Sequence, residues 1–225
     1  MRCGLFGKLS AKRDYISIAT PRNFLEVWEP WIQSCMSASQ HQLGERWQNA
    51  FLRAPLWRFW VGSEICGTSF MGVIMPSLDG VGRYYPLTLH AIADAETSLL
   101  QPDVDPQQEW FAAAEDFLLT TLDTTISFET ISATLDALAA PAQQLKTDAE
   151  IIPLGDSINA TLSADKDFAV ALASVRTATP EVYAAASFWW TTGGDDFSAM
   201  ALCCRGLPDP FKYSALLLGN LKEPS

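Results

Sequence analysis

An α/β fold is what this sequence predicts, specifically a three-layer α-β-α sandwich in which helices cover both faces of a mixed central β-sheet. Three observations carry the prediction. Residues 70–75 read Phe-Met-Gly-Val-Ile-Met with nothing polar, as in a strand covered on both faces. Segments of helical periodicity precede, separate and follow the strand-like runs, so a sheet packed between helices is the natural solution. Finally, 48% of the 225 residues are hydrophobic and eight are tryptophan, which allows a sizeable core. No linker-like stretch or internal repeat interrupts the chain, and one domain over 1–225 is expected.

The elements follow in order. Residues 4–9 read as a short strand or turn with Phe6 inward. Gly7-Lys8 is not a phosphate loop, because no glycine stands five residues earlier and Leu9 occupies the Ser/Thr position. Thr20-Pro21 is a helix start, and Phe24, Val27, Trp28, Trp31 and Cys35 then share one face. Leu43, Trp47, Ala50, Phe51 and Ala54 repeat the spacing in a second helix that Pro55 ends. In 57–61, Trp57, Phe59 and Val61 alternate with Arg58 and Trp60, as in a strand. Pro76 and the turn Asp79-Gly80-Val81-Gly82 separate run 70–75 from a third strand beginning near Tyr84.

After a polar loop at 94–106, Asp105-Pro106 should cap a helix whose face is Trp110, Phe111, Ala114, Phe117, Leu118, Thr121 and Leu122. Ser127 should cap the next, with Phe128, Ile131, Leu135 and Leu138 inward and Pro141 as its stop. Residues 143–155 read as connection and 165–176 as a helix entered through an Asp cap. Residues 184–191 and 198–204 form the clearest hairpin, turning at Gly193-Gly194-Asp195-Asp196. Asp209-Pro210 caps a last helix, Phe211 to Leu218, closed by Gly219.

Composition excludes several functions. A net charge of −11 disfavours nucleic acid, since phosphate binding needs a basic patch. No apolar run approaches the ~20 residues of a membrane helix, and the N-terminal Lys8, Lys12 and Arg13 have no apolar stretch behind them. A cytoplasmic protein without membrane insertion is expected. The five cysteines, Cys3, Cys35, Cys66, Cys203 and Cys204, lack metal or redox spacing and read as reduced thiols. With only His41 and His90 as imidazole bases and no Gly-x-Ser-x-Gly elbow, neither an enzyme nor a cofactor or metal site is indicated.

Two features stand out. Between Tyr84 and Leu145 there is no Lys or Arg, while acidic residues including Glu109, Glu115 and Asp116 accumulate. That pattern is either a solvated helical face or a surface that steers a basic protein partner. Arg58 lies between Trp57 and Phe59, Arg83 lies beside Tyr84 and Tyr85, and Trp189-Trp190 sit together. Arginine among exposed aromatics has the composition of a protein-binding hot spot, whereas arginine stacked on rings within the fold explains the same residues without a partner. In a strand, Trp189 and Trp190 must face opposite sides. A small-molecule-binding sensor or enzyme, with a pocket lined by Arg58, Arg83 and the tryptophans, is the competing reading.

Gly4-Leu5-Phe6-Gly7-Lys8-Leu9, Asp14-Tyr15, Pro21-Arg22-Phe24, the run from Gly72 to Thr88, Ser187-Phe188-Trp189-Trp190-Thr191 and Gly206-Leu207-Pro208 together resemble the TagF family of type VI secretion-associated proteins. Ser10 and Arg13 depart from the family pattern, in which proline and glycine are usual. The resemblance implies an accessory factor that represses the secretion machine after translation by binding a protein partner, the forkhead-associated scaffold of the same system. It implies no cofactor.

Overall fold

The computed structural model describes residues 1–94, 99–142, 150–154, 157–161, 168–194 and 196–219. The chain opens with strands β1 (Cys3–Gly7) and β2 (Ile16–Ile18), then helix α1 (Arg22–Leu43). A 3-10 turn leads into α2 (Trp47–Arg53), which is followed by β3 (Trp57–Val61), the single turn α3 (Ser63–Cys66), β4 (Phe70–Met75) and β5 (Leu87–Ile92). Helices α4 (Gln108–Thr120) and α5 (Phe128–Ala137) precede a separate hairpin of β6 (Glu150–Leu154) and β7 (Ser157–Thr161). Helix α6 (Phe168–Ala178), the hairpin β8 (Ala186–Thr191) and β9 (Met200–Arg205), and α7 (Tyr213–Leu217) complete the chain.

Seven strands form the main sheet in the order β2-β1-β5-β4-β3-β8-β9, and every neighbouring pair is antiparallel. This corrects the expectation of a mixed sheet. The reason lies in the connections. β1–β2, β3–β4, β4–β5 and β8–β9 are each joined by hairpins, and the long helical excursions lead to strands that are not their neighbours in the sheet. A parallel neighbour would need a crossover to the adjacent position.

Strand parity divides the core. Phe59, Phe70, Ile74 and Trp189 pack with Phe24, Trp28, Trp31 and Phe51 of α1 and α2 and with Leu216 of α7. Trp60, Met71, Val73, Leu87, Leu89 and Ala91 pack with Trp110, Phe111, Ala114 and Phe117 of α4 and with Ile131 of α5. The apolar run 70–75 is therefore buried on both faces, as expected of it.

Three local expectations change. Thr20 does not cap α1; its hydroxyl contacts the carbonyl of Ile18 and His90, and the extended Pro21 occupies the cap position. Asp105 does not cap α4 either. It is buried and bonded to Gln107, which takes the cap position in a left-handed conformation. The segment read as connection contains β6. By contrast, the Ser127 cap forms, accepting from the amide of Thr130, as does the Asp209 cap, accepting from Phe211. The expected Asp cap of the 165–176 helix and Asp195 of the hairpin turn lie outside the described residues.

Candidate protein-binding surfaces

Residue 58 has the parity of Trp60, so the Arg58 side chain leaves β3 toward α4 and is buried. There its guanidinium makes a two-pronged bond to Glu115, Nε to Oε1 and Nη2 to Oε2, both 2.7 Å, while Nη1 donates to Oε1 of Gln108 at 2.8 Å. It also lies 5.4 Å from the ring centroid of Phe111. Trp190 pairs with Arg58 in the β3–β8 ladder and packs edge-on against the same Phe111 ring at 4.8 Å. Arg58, Glu115 and Trp190 thus meet, on the fold's own terms. Trp189 points to the opposite face, 1% exposed, stacked parallel to Trp28 at 5.9 Å with its Nε1 donating to Ser187.

Arg83 goes elsewhere. It closes the turn that Asp79 opens, at the corner formed by the end of β1 and the loop before β2. The Asp79 side chain is fully buried and accepts four bonds: from the amides of Val81 (3.0 Å) and Arg83 (2.9 Å), from Arg83 Nε (2.6 Å) and from Lys8 Nζ (3.0 Å). Burial alone would push this carboxyl up, but the donors outweigh it and hold the group well below the usual carboxylate range. Lys8 is itself buried, its ammonium 5.0 Å from the Tyr15 ring, and Tyr15 packs edge-on against Tyr85 at 4.8 Å. The outer guanidinium nitrogen of Arg83 reaches the carbonyl of Arg13 and lies 3.8 Å from Asp14. Lys8, Asp14, Tyr15 and Asp79, all within the segments that carry the resemblance, were not singled out as functional by sequence reasoning. A lysine directly after an apolar strand, and an aspartate opening a glycine turn, were the signals available.

Because Arg58 and Arg83 sit in separate networks, they do not jointly line a small-molecule pocket. The acidic candidates divide similarly. Glu115 is committed to Arg58, whereas Glu109 and Asp116 are exposed on the outer side of α4, outside any ion pair among the described residues. Asp116 neighbours the exposed Leu119 one helical turn on. With Leu122 and Leu52, also exposed, Leu119 lines an apolar groove of about 270 Å³ between the ends of α2 and α4.

The remaining chemistry is internal. His90 is wholly inside, its Nε2 3.0 Å from Thr20 Oγ1 and its ring 4.5 Å from that of Phe24. Since the Thr20 hydroxyl donates to a carbonyl, it accepts from His90 Nε2–H, and Nδ1 has no partner among the described residues. Burial depresses the imidazole from 6.5 to about 3, so it is neutral. Gly4 makes the room, because a Cβ there would stand 2.4 Å from His90 Cε1. All five cysteines are free thiols; Cys3, Cys35 and Cys66 are buried, Cys203 exposed and Cys204 half-buried. Among the described residues no cluster of His, Cys, Asp and Glu could hold a metal ion, and no helix is long and apolar enough to cross a membrane.

Comparison with known proteins agrees with the motif reading. Residues 4–138 match the family model described as the TagF N-terminal domain, type VI secretion system-associated. The crystal structure of PA0076 from Pseudomonas aeruginosa PAO1 superimposes with a TM-score of 0.81 at 31% identity, covering 99% of this chain and 97% of that one. A search of curated proteins finds no match.

Proposed function

The chain belongs to the TagF family of type VI secretion-associated proteins, and from that premise we propose that it represses the secretion machine after translation, in the cytoplasm and without catalysis, by binding the machine's forkhead-associated scaffold protein. Sequestration is a mass-action effect, in which a bound scaffold is unavailable for assembly. The scaffold on which this surface is displayed is best read as three layers, α1, α2 and α7 against one face of the sheet and α4 and α5 against the other.

The observation that carries this reading is the family match over 4–138, which contains the exposed side of α4. That surface joins two properties of a protein-binding site. Glu109 and Asp116 supply negative charge outside any ion pair among the described residues, which raises encounter rates with a basic partner. Leu119, Leu122 and Leu52 supply exposed apolar area around a groove, which holds a complex once it has formed. Arg58, being buried beneath α4, supports this surface from behind rather than touching the partner, and Trp189 lies on the other face of the sheet.

Deleting the protein from its host should raise type VI secretion while transcripts of the machinery stay constant. A pull-down with tagged protein should recover the scaffold, and Leu119→Asp with Leu122→Asp should abolish both recovery and repression. Secretion that is unchanged by deletion under repressing conditions rejects the assignment.

A further inference from the structure

We propose that the outer edge of β2 is a peptide groove that accepts an extended, carboxylate-rich segment of a partner protein as an added strand. β2 is the terminal strand of the sheet. Its inner side pairs with β1 through Leu5–Ile18, Phe6–Ser17 and Gly7–Ile16, and its outer side carries no strand among the described residues. An open edge offers backbone donors and acceptors to any extended chain, and this one is bordered by a groove of about 320 Å³. Along it Ile16 is buried and Ser17 exposed, so an added strand would meet alternating apolar and polar ground.

Charge selects the occupant. Lys12 and Arg13 line the groove together with Phe128, and neither cation is in an ion pair among the described residues. Lys12 Nζ rests 4.0 Å from the Phe128 ring centroid, with Glu129 near enough to feel its charge; Asp14 also lines the groove, exposed and 3.8 Å from the Arg83 guanidinium, whose charge offsets it. In a protein of net charge −11, two cations outside any ion pair among the described residues, beside an open strand edge, favour a segment bearing Asp or Glu over a basic one.

The groove is also built in advance. The Lys12 amide donates to Leu9 O at 2.9 Å, Lys12 O accepts from Gly80 N at 2.7 Å, and Arg13 O accepts from the Arg83 guanidinium. The buried Asp79 thus holds the backbone that presents both cations, and a pre-ordered loop loses less entropy on binding. In this arrangement Arg83 is a positioning residue. The inference goes beyond the repressor reading, because it concerns peptide capture by this chain whatever its partner.

The test is a titration of the full-length, isotope-labelled protein with a short peptide of alternating valine and glutamate, followed by NMR. The expected result is shifts confined to residues 12–18 and Phe128, and affinity reduced roughly tenfold or more in Arg13→Glu, whose side chain is exposed and outside any ion pair among the described residues. Arg205→Glu, at the opposite edge of the sheet, should leave binding unchanged. The idea is overturned by equal binding of the valine–lysine peptide, by shifts that map to β9, by Arg13→Glu binding like the parent, or by no binding at millimolar peptide. A phosphothreonine peptide that binds while the glutamate peptide does not also overturns it.

Discussion

Arg58 and Arg83 look alike in the sequence, each an arginine beside aromatic residues, yet their ion pairs are built inside out with respect to one another. In the first, the cation is buried and the anion sits at the rim: the side chain of Arg58 is 5% exposed and that of Glu115 19%. In the second, the anion is buried and the cation is outside: 0% for Asp79 and 55% for Arg83. Backbone geometry decides which. Position 58 lies on a strand in the second core layer, so its side chain must pass under α4. Arg83 ends a turn, where the turn's own amides have already drawn the aspartate inward. The difference teaches that the buried member sets the cost of disruption, because it is the charge left without water when its partner goes.

If so, the largest effect should come from removing the buried anion. Asp79→Ala leaves the Lys8 ammonium buried with no counter-charge and two turn amides without an acceptor. It should cost about 3–5 kcal/mol in urea unfolding. A loss below that of Arg83→Gln would break the comparison. Next comes Arg58→Ala, expected to cost about 2–4 kcal/mol, since Glu115 can turn partly to water. Arg58→Met paired with Glu115→Leu should recover most of this by filling the space with apolar groups, whereas Arg58→Met alone should not.

Much of this fold was legible because it is written locally. Parity put Trp189 and Trp190 on opposite faces, the apolar run 70–75 announced two-sided burial, and the caps at Ser127 and Asp209 follow from single residues. What was illegible is non-local or too short. β2 is three residues long, Ile16-Ser17-Ile18, with no room for a pattern to develop. Strand direction depends on which elements become neighbours, so the antiparallel sheet could not be read from any one run. The partner of Arg58 lies 57 residues further along the chain. Aromatic neighbours in sequence said nothing about whether that arginine faces water or helix, which is why core and hot spot looked the same.

Acid offers a third test, of intermediate size. His90 is protonated at 6.5 when unfolded but only near about 3 when folded, so below 6.5 the unfolded state binds the extra proton. Stability should therefore fall as pH drops below 6.5, by up to about 1.4 kcal/mol per pH unit, or about 2 kcal/mol by pH 5. Asp79 is shifted in the same direction, so it too loses stability toward acid, but over a lower pH range. Its contribution is fully present above the unfolded value near ~3.9 and disappears only as pH falls below it. Between pH 6.5 and about 4 the slope should thus belong to His90 and vanish in His90→Gln, while Asp79→Ala retains it. A slope that persists without His90 would place the acid-sensitive group elsewhere.

The smallest effect should come from Arg83 itself, and it sharpens the comparison most. Its guanidinium is more than half exposed, and Lys8 together with two backbone amides still compensates Asp79 when it is lost. Exposed pairs are worth on the order of 0.2–1 kcal/mol, so Arg83→Gln should sit in that range. Its salt dependence should also differ from that of the Arg58 network. Raising ionic strength should shrink the Arg83→Gln effect further, because a half-exposed charge is screened, and leave the Arg58→Ala effect nearly unchanged. The loop that Arg83 holds through Arg13 should loosen even where global stability does not, which amide hydrogen exchange at residues 12–15 would register. Exchange there that is indifferent to Arg83→Gln would mean the arginine decorates this corner rather than organises it.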